Sequence, residues 1–181
     1  RDSLLLLLAL LKAGFDQASN IPNPTYDSTT RRLISTLATN MHARIAEASI
    51  EDLPRPVLAL AQLGALNMRA TKALEHRLTS SRLLSLSPSG FTSLVQAHRL
   101  VRGPAPQESL RQPFCVAFGA LLHLMEPRQV ACCIESLWQY ASNKKNLHVF
   151  ESAFGRLANA MEDADALIHL SPSEMVAAIQ S

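Results

Sequence analysis

The alternation of Val, Ile, Thr and Tyr that marks strands is missing from this chain, and only 5% of its residues are aromatic. Sheets draw on β-branched and aromatic side chains, so their scarcity excludes a sandwich or barrel. Glycine occurs 6 times in 181 residues, too few for a turn-rich all-β protein. The 3 cysteines, Cys115, Cys132 and Cys133, contain no CxxC pair. That odd count argues against a disulfide framework and predicts reduced thiols packed as small hydrophobes. Net charge is only +2, so bulk charge does not announce a nucleic-acid binder and any basic surface must be local.

Chemistry-bearing motifs are also missing. The histidines, at positions 42, 76, 98, 123, 148 and 169, never form HxxxH or HExxH spacing, so no helix-borne metal pair is predicted. No GxGxxG or GxxxxGK[ST] loop is present to cradle a nucleotide. Cys132 and Cys133 have no histidine near them on the same helix, which favours core packing over nucleophilic catalysis. Trp138 and Tyr140 read as inter-repeat packing rather than a stacking platform. We therefore expect no enzyme, no cofactor and no metal. The run "LLLLLALL" from Leu4 to Leu11 follows Asp2 and is far shorter than the roughly 20 residues of a membrane span. It reads as one helix of a helical stack, and no membrane partner is expected. The text starts at Arg1, inside a helical pattern, as a processed or partial chain would.

Leu and Ala dominate, and 48% of the residues are hydrophobic, which predicts an all-α protein with a core of ordinary size. Within that background one line recurs: "SPSGFTSLVQAHRLVRG" at 87–103, "EPRQVACCIESLWQYA" at 126–141 and "SPSEMVAAIQS" at 171–181. Aligned on Pro88, Pro127 and Pro172, three positions later come Phe91, Val130 and Met175, seven later Val95, Ile134 and Ile179, and nine later the small residues Ala97, Ser136 and Ser181. Ile50 takes the anchor place in an earlier copy, "SIEDLPRPVLALAQLG", with Leu53, Val57 and Ala59 in the matching columns, and "LLALLKAG" (Leu7 to Gly14) fits the end of a still earlier one. The anchors are 38, 39 and 45 residues apart, a period that belongs to helical-hairpin solenoids.

Each copy has a physical logic. Ser or Glu before Pro suits a helix start, since Pro tolerates the first turn and the polar residue caps exposed amides. Apolar residues at +3, +6 or +7, +10 and +13 make one buried stripe. The small residue at +9 lets a neighbouring helix come close, and Gly64 and Gly103 stop the helix. Pro54 and Pro56 should delay the first anchor helix, and Pro113 should break or kink its own. Second helices are predicted at 27–47, 67–83, 107–124 and 146–161. The result is a right-handed α-solenoid of helix-turn-helix repeats over 1–181: a partial repeat at 1–26, then repeats near 27–64, 65–103, 104–142 and 143–181. The last is incomplete, so the stripe Met175, Ala178 and Ile179 must be covered by something.

The pattern SPxx[FVM]xxx[VI]x[AS], with "LALAQLG" ending at Gly64, resembles the repeat line of octotricopeptide repeat proteins, and is similar to heptatricopeptide and FAST-kinase-like helical repeats. The resemblance covers essentially the whole chain. It implies organellar RNA work: binding mitochondrial or plastid rRNA or mRNA in processing, stabilisation, translation or ribosome assembly. Many such proteins carry a C-terminal nuclease-like RAP domain, of which this sequence shows no trace.

Two sets of residues are candidates for RNA contact. The +1, +5, +8 and +12 positions lie off the buried stripe and vary between copies: Glu51, Arg55, Leu58 and Gln62; Ser89, Ser93, Gln96 and Leu100; Arg128, Cys132, Glu135 and Gln139. Variable polar groups at fixed height could each meet one unstacked base, with Arg55, Ser93 and Gln96 as candidates; the same positions equally describe a solvated face. The second set is basic. Arg69, Lys72 and His76 share a stripe of the 67–83 helix, Arg77 and Arg82 lie close, and Glu75 opposes them. Arg99, Arg102 and Arg111 form a further cluster, and Lys144 and Lys145 are placed in a loop. In contrast, 151–174 carries Glu151, Glu162, Asp163, Asp165 and Glu174 against Arg156 alone. Cations on one face supply the sequence-independent part of RNA affinity, while a solubilising helix face has the same composition. The leading expectation is a non-catalytic RNA-contacting repeat protein of a mitochondrial ribosome or similar ribonucleoprotein, with neighbouring proteins as further partners. The alternatives are a plastid location and a protein–protein scaffold.

Overall fold

The computed structural model of the chain describes residues 28–103, 107–141 and 144–162; the side chains of residues 30, 144, 145 and 162 are not described. The chain is all-α, with 8 α-helices and no strand among the described residues. They are α1 (Ser28–Ile45), α2 (Pro54–Gln62), α3 (Met68–Glu75), α4 (Ser80–Leu84), α5 (Pro88–Arg102), α6 (Glu108–Leu121), α7 (Pro127–Leu137) and α8 (Lys144–Glu162). Short 3₁₀ turns occupy Ile50–Asp52, Leu122–Leu124 and Trp138–Tyr140. The apolar run at 4–11, the fragment at 7–14 and the copy at 171–181 lie outside the described residues.

The three anchor copies start alike. Ser49, Ser87 and Glu126 adopt nearly one backbone conformation, with φ of −63°, −66° and −71° and ψ of 153°, 156° and 155°. Ser87 Oγ accepts the Gly90 N–H at 3.1 Å, and Glu126 with Gln129 closes a reciprocal capping box. In the first copy Pro54 and Pro56 bring no N–H, so the opening turn tightens to 3₁₀ and the α-helix begins only at Pro54. The aligned apolar columns, Leu53, Phe91 and Val130, then Val57, Val95 and Ile134, are all buried, as are the small residues Ala59, Ala97 and Ser136.

Gly64 and Gly103 have φ of +63° and +67°. At Gly64 the Ala65 N–H reaches the Leu60 carbonyl at 2.8 Å and the Gly64 N–H the Ala61 carbonyl at 3.0 Å, the paired bonds of a Schellman stop.

Two expectations are corrected. The helix expected over 67–83 is broken: α3 ends at Glu75, and α4 restarts at Ser80 after an extended Thr79 (φ −93°, ψ 157°). Leu74 and Leu83 are both buried, yet at 100° per residue an unbroken helix would set them on opposite sides. The Thr79–Ser80–Ser81 run, poor inside helices and good at their starts, supplies the break. Lys144 and Lys145 open α8 rather than lying in a loop. Pro113 stays inside α6, which continues to Leu121. Tyr140 is fully buried, whereas Trp138 packs edge-on against Phe150 and Phe154 while staying 47% exposed.

Anchor helices pack on one another in order, α2 on α5 and α5 on α7, while α1 contacts α3, α4 contacts α6, and α6 and α7 contact α8. Ala97, wholly buried on α5 between these neighbours, has no room to grow. Ala97→Phe should overpack the stack and cost about 1–3 kcal/mol, read as a lower urea midpoint. An unchanged midpoint would mean that the +9 column is not a close-approach column.

Candidate nucleic-acid interface

Asn67 starts α3, its Oδ1 accepting the Ala70 N–H at 2.8 Å, and its side chain also meets the His42 ring at 3.0 Å to tie α3 to α1. From this start Arg69, Lys72 and His76 follow at near-helical spacing, and all three are exposed. α3 is therefore a ridge between two clefts. One, of about 490 Å³, lies against α1 and is lined by Thr39, His42, Asn67 and Arg69. The other, of about 650 Å³, lies towards α4 and α6 and includes Lys72, Glu75, His76, Arg102, Gln107 and Ser109. Among the described residues no ion pair engages Arg69 or Lys72.

Five of the other cations expected to join this surface, Arg77, Arg82, Arg99, Arg102 and Arg111, have protein partners. Arg77 donates to the carbonyls of Ile45 and Ala48, capping the C-terminal end of α1 where no glycine stop exists. Arg82 is exposed beyond the helix break, reaching only the Arg77 carbonyl at 3.5 Å. Arg99 pairs with Glu135 at 2.5 Å, joining α5 to α7, and Arg111 pairs with Glu108 at 2.6 Å. Arg55 is exposed on α2. Ser93 donates back to the Ser89 carbonyl at 2.9 Å, and Gln96 is half-buried. Cys132 is buried, so the +1, +5, +8 and +12 positions do not form one uniformly open face.

Beneath the second cleft lies a polar cluster that sequence reasoning missed. Arg102 grips Glu75 in a fork, Nε to Oε1 at 2.8 Å and Nη2 to Oε2 at 2.7 Å, with the His98 Nε2 at 3.5 Å from Oε1. Glu75 and His98 are both buried. Burial alone would raise the Glu75 carboxyl, but the hydrogen bonds and charge of Arg102 prevail and hold it below its ordinary value. Burial pushes His98 down, with the Glu75 charge opposing it. The Tyr140 hydroxyl accepts the Gln107 N–H at 3.1 Å, bringing the next anchor copy into contact with the cleft floor. A signal was present: His98 stands in the +10 column beside Leu60 and Leu137, a buried place for an imidazole.

The three cysteines form no disulfide and are buried. Burial raises Cys115 to about 11 and pushes Cys133 up still further, so neither is a ready nucleophile. Among the described residues no three His, Cys, Asp or Glu gather as metal ligands, and no helix is long and apolar enough to cross a membrane. The chain matches no family model, no curated protein and no solved structure.

Proposed function

We propose that the chain is a non-catalytic repeat array, a right-handed α-solenoid of helix-turn-helix units, that contacts RNA within an organellar ribonucleoprotein such as a mitochondrial ribosome. The solenoid reading draws on the threefold recurrence of one capping geometry and on the order in which the helices contact each other. The organelle, mitochondrial or plastid, and the ribonucleoprotein setting rest on the repeat resemblance. The observation that carries RNA contact is the α3 ridge. Arg69 and Lys72 stand in solvent with no acid paired to them, while Arg99, Arg102 and Arg111 are neutralised by neighbours. Unpaired cations beside a cleft are what a phosphate backbone needs.

Arg69→Gln with Lys72→Gln tests this reading. Gln matches Arg and Lys in helix propensity, so α3 should hold, and Arg77 is left alone because it caps α1. RNA affinity should fall, and the logarithmic salt slope should shrink by about 0.7 for each lost phosphate contact on a single strand. A slope equal to wild type would remove α3 from the RNA surface. The scaffold reading is favoured by one feature, the 54% exposed Leu100 on the variable face of α5. Loss of a purified protein partner in Leu100→Ser with RNA binding intact would favour it.

A further inference from the structure

The cleft between α3 and α6 offers more than positive charge. Proline has no N–H, so the carbonyl of Ser109, one helical turn before Pro113, receives no bond from the position that would normally serve it. Ser109 and Pro113 line the same cleft as Lys72 and Arg102. Arg102 spends Nε and Nη2 on Glu75, which leaves both Nη1 hydrogens without an acceptor among the described residues. Glu75 balances Arg102 in charge, and Lys72 is left uncompensated. The cleft thus presents one net positive charge, guanidinium hydrogens that Glu75 does not use, and a residue, Ser109, whose carbonyl has lost its usual helical donor. A complementary occupant brings one negative charge and a hydrogen-bond donor, a part that a hydroxyl can fill.

We propose that this cleft seats one ribonucleotide unit of an RNA strand, its phosphodiester against Lys72 and the Arg102 Nη1, its 2′-hydroxyl donating to the Ser109 carbonyl. A cleft of about 650 Å³ is of the size that takes small ligands. A 2′-hydroxyl is what separates RNA from DNA at a contact, so Pro113 acts here as a device for sugar choice. The inference rests on the RNA-contact reading above and adds to it which nucleic acid is preferred and where.

The test uses the full chain with labelled oligouridine and oligodeoxyuridine of equal length, which differ only in the 2′-hydroxyl, at low salt. Wild type should prefer oligouridine. Pro113→Ala restores an N–H that occupies the Ser109 carbonyl and improves helix propensity, so the variant should melt no lower than wild type. Its affinity for oligouridine should fall about three- to tenfold, the effect of one hydrogen bond, with that for oligodeoxyuridine unchanged. Lys72→Gln should weaken both polymers alike. If wild type binds the two polymers equally, or Pro113→Ala keeps the wild-type ratio, the cleft proposal is overturned and the RNA reading stands. If wild type retains neither polymer, the RNA reading falls and takes this proposal with it.

Discussion

Arg102→Met should destabilise the protein by about 3–5 kcal/mol at neutral pH, because it strips the paired guanidinium from a buried carboxylate and leaves that charge without a cationic partner of fixed charge among the described residues. Glu75 has little access to water; of its remaining polar neighbours Gln107 is neutral, and His98 is held towards its neutral form by burial. In the wild type the Glu75 carboxyl lies below its ordinary value of 4.5, so its stabilising contribution is fully present above about pH 4.5 and fades as pH falls through the depressed value. In the variant the sign reverses. Burial is then unopposed by Arg102 and raises the carboxyl, so the charged form burdens the fold at neutral pH and the burden lifts on acidification. Urea titrations at pH 7 and near pH 5 should show the gap between variant and wild type narrowing at the lower pH. Removing both charges, Glu75→Gln with Arg102→Met, should recover most of the loss. A deficit below about 1 kcal/mol at pH 7, with no narrowing, would mean that Glu75 is hydrated and the fork contributes no more than a surface pair.

How far these features could be read beforehand depends on the range over which they are determined. The anchor helices are local matters: Ser87 before Pro88, Glu126 before Pro127, a buried stripe through Phe91 and Val95, and a glycine stop at Gly103 all lie within one turn or one helix. They were legible. The break after Glu75 was harder to read, because the Thr79–Ser80–Ser81 run permits a restart without demanding one, and the need to bury Leu83 along with Leu74 decides against continuity. Charge pairing escaped for the same reason. Arg77 reaches carbonyls at Ile45 and Ala48, and Arg102 reaches Glu75, across separations that periodicity cannot see. A cluster of arginines in sequence is therefore a poor count of arginines available to a ligand. Of the expected basic surface, Arg69, Lys72 and His76 are open together; Glu75 read only as their opposing charge and Pro113 only as a helix breaker, so neither pointed to the cleft they line.

Phe114→Ala should cost about 3–5 kcal/mol, the range for emptying a fully buried phenyl site, and its consequences should spread beyond α6. The Phe114 ring stands edge-on to Phe91 at 6.3 Å and to His98 at 5.4 Å, both on α5, and tilted against Tyr140 at 6.4 Å in the turn that follows α7. One side chain thus links two consecutive anchor copies through the helix between them. Phe114→Leu keeps most of the volume and should cost less than about 1.5 kcal/mol, the difference reporting the lost aromatic edges and the residual void. The site also walls in the polar cluster. Removing the ring exposes one side of His98, so amide exchange should quicken in α5 and around Tyr140 as well as in α6. If the repeat units pack as a continuous stack, this protection is lost on both flanks together. A loss of about 1 kcal/mol or less, with faster exchange confined to α6, would mean that α6 absorbs the cavity alone and that the anchor copies are not coupled through it.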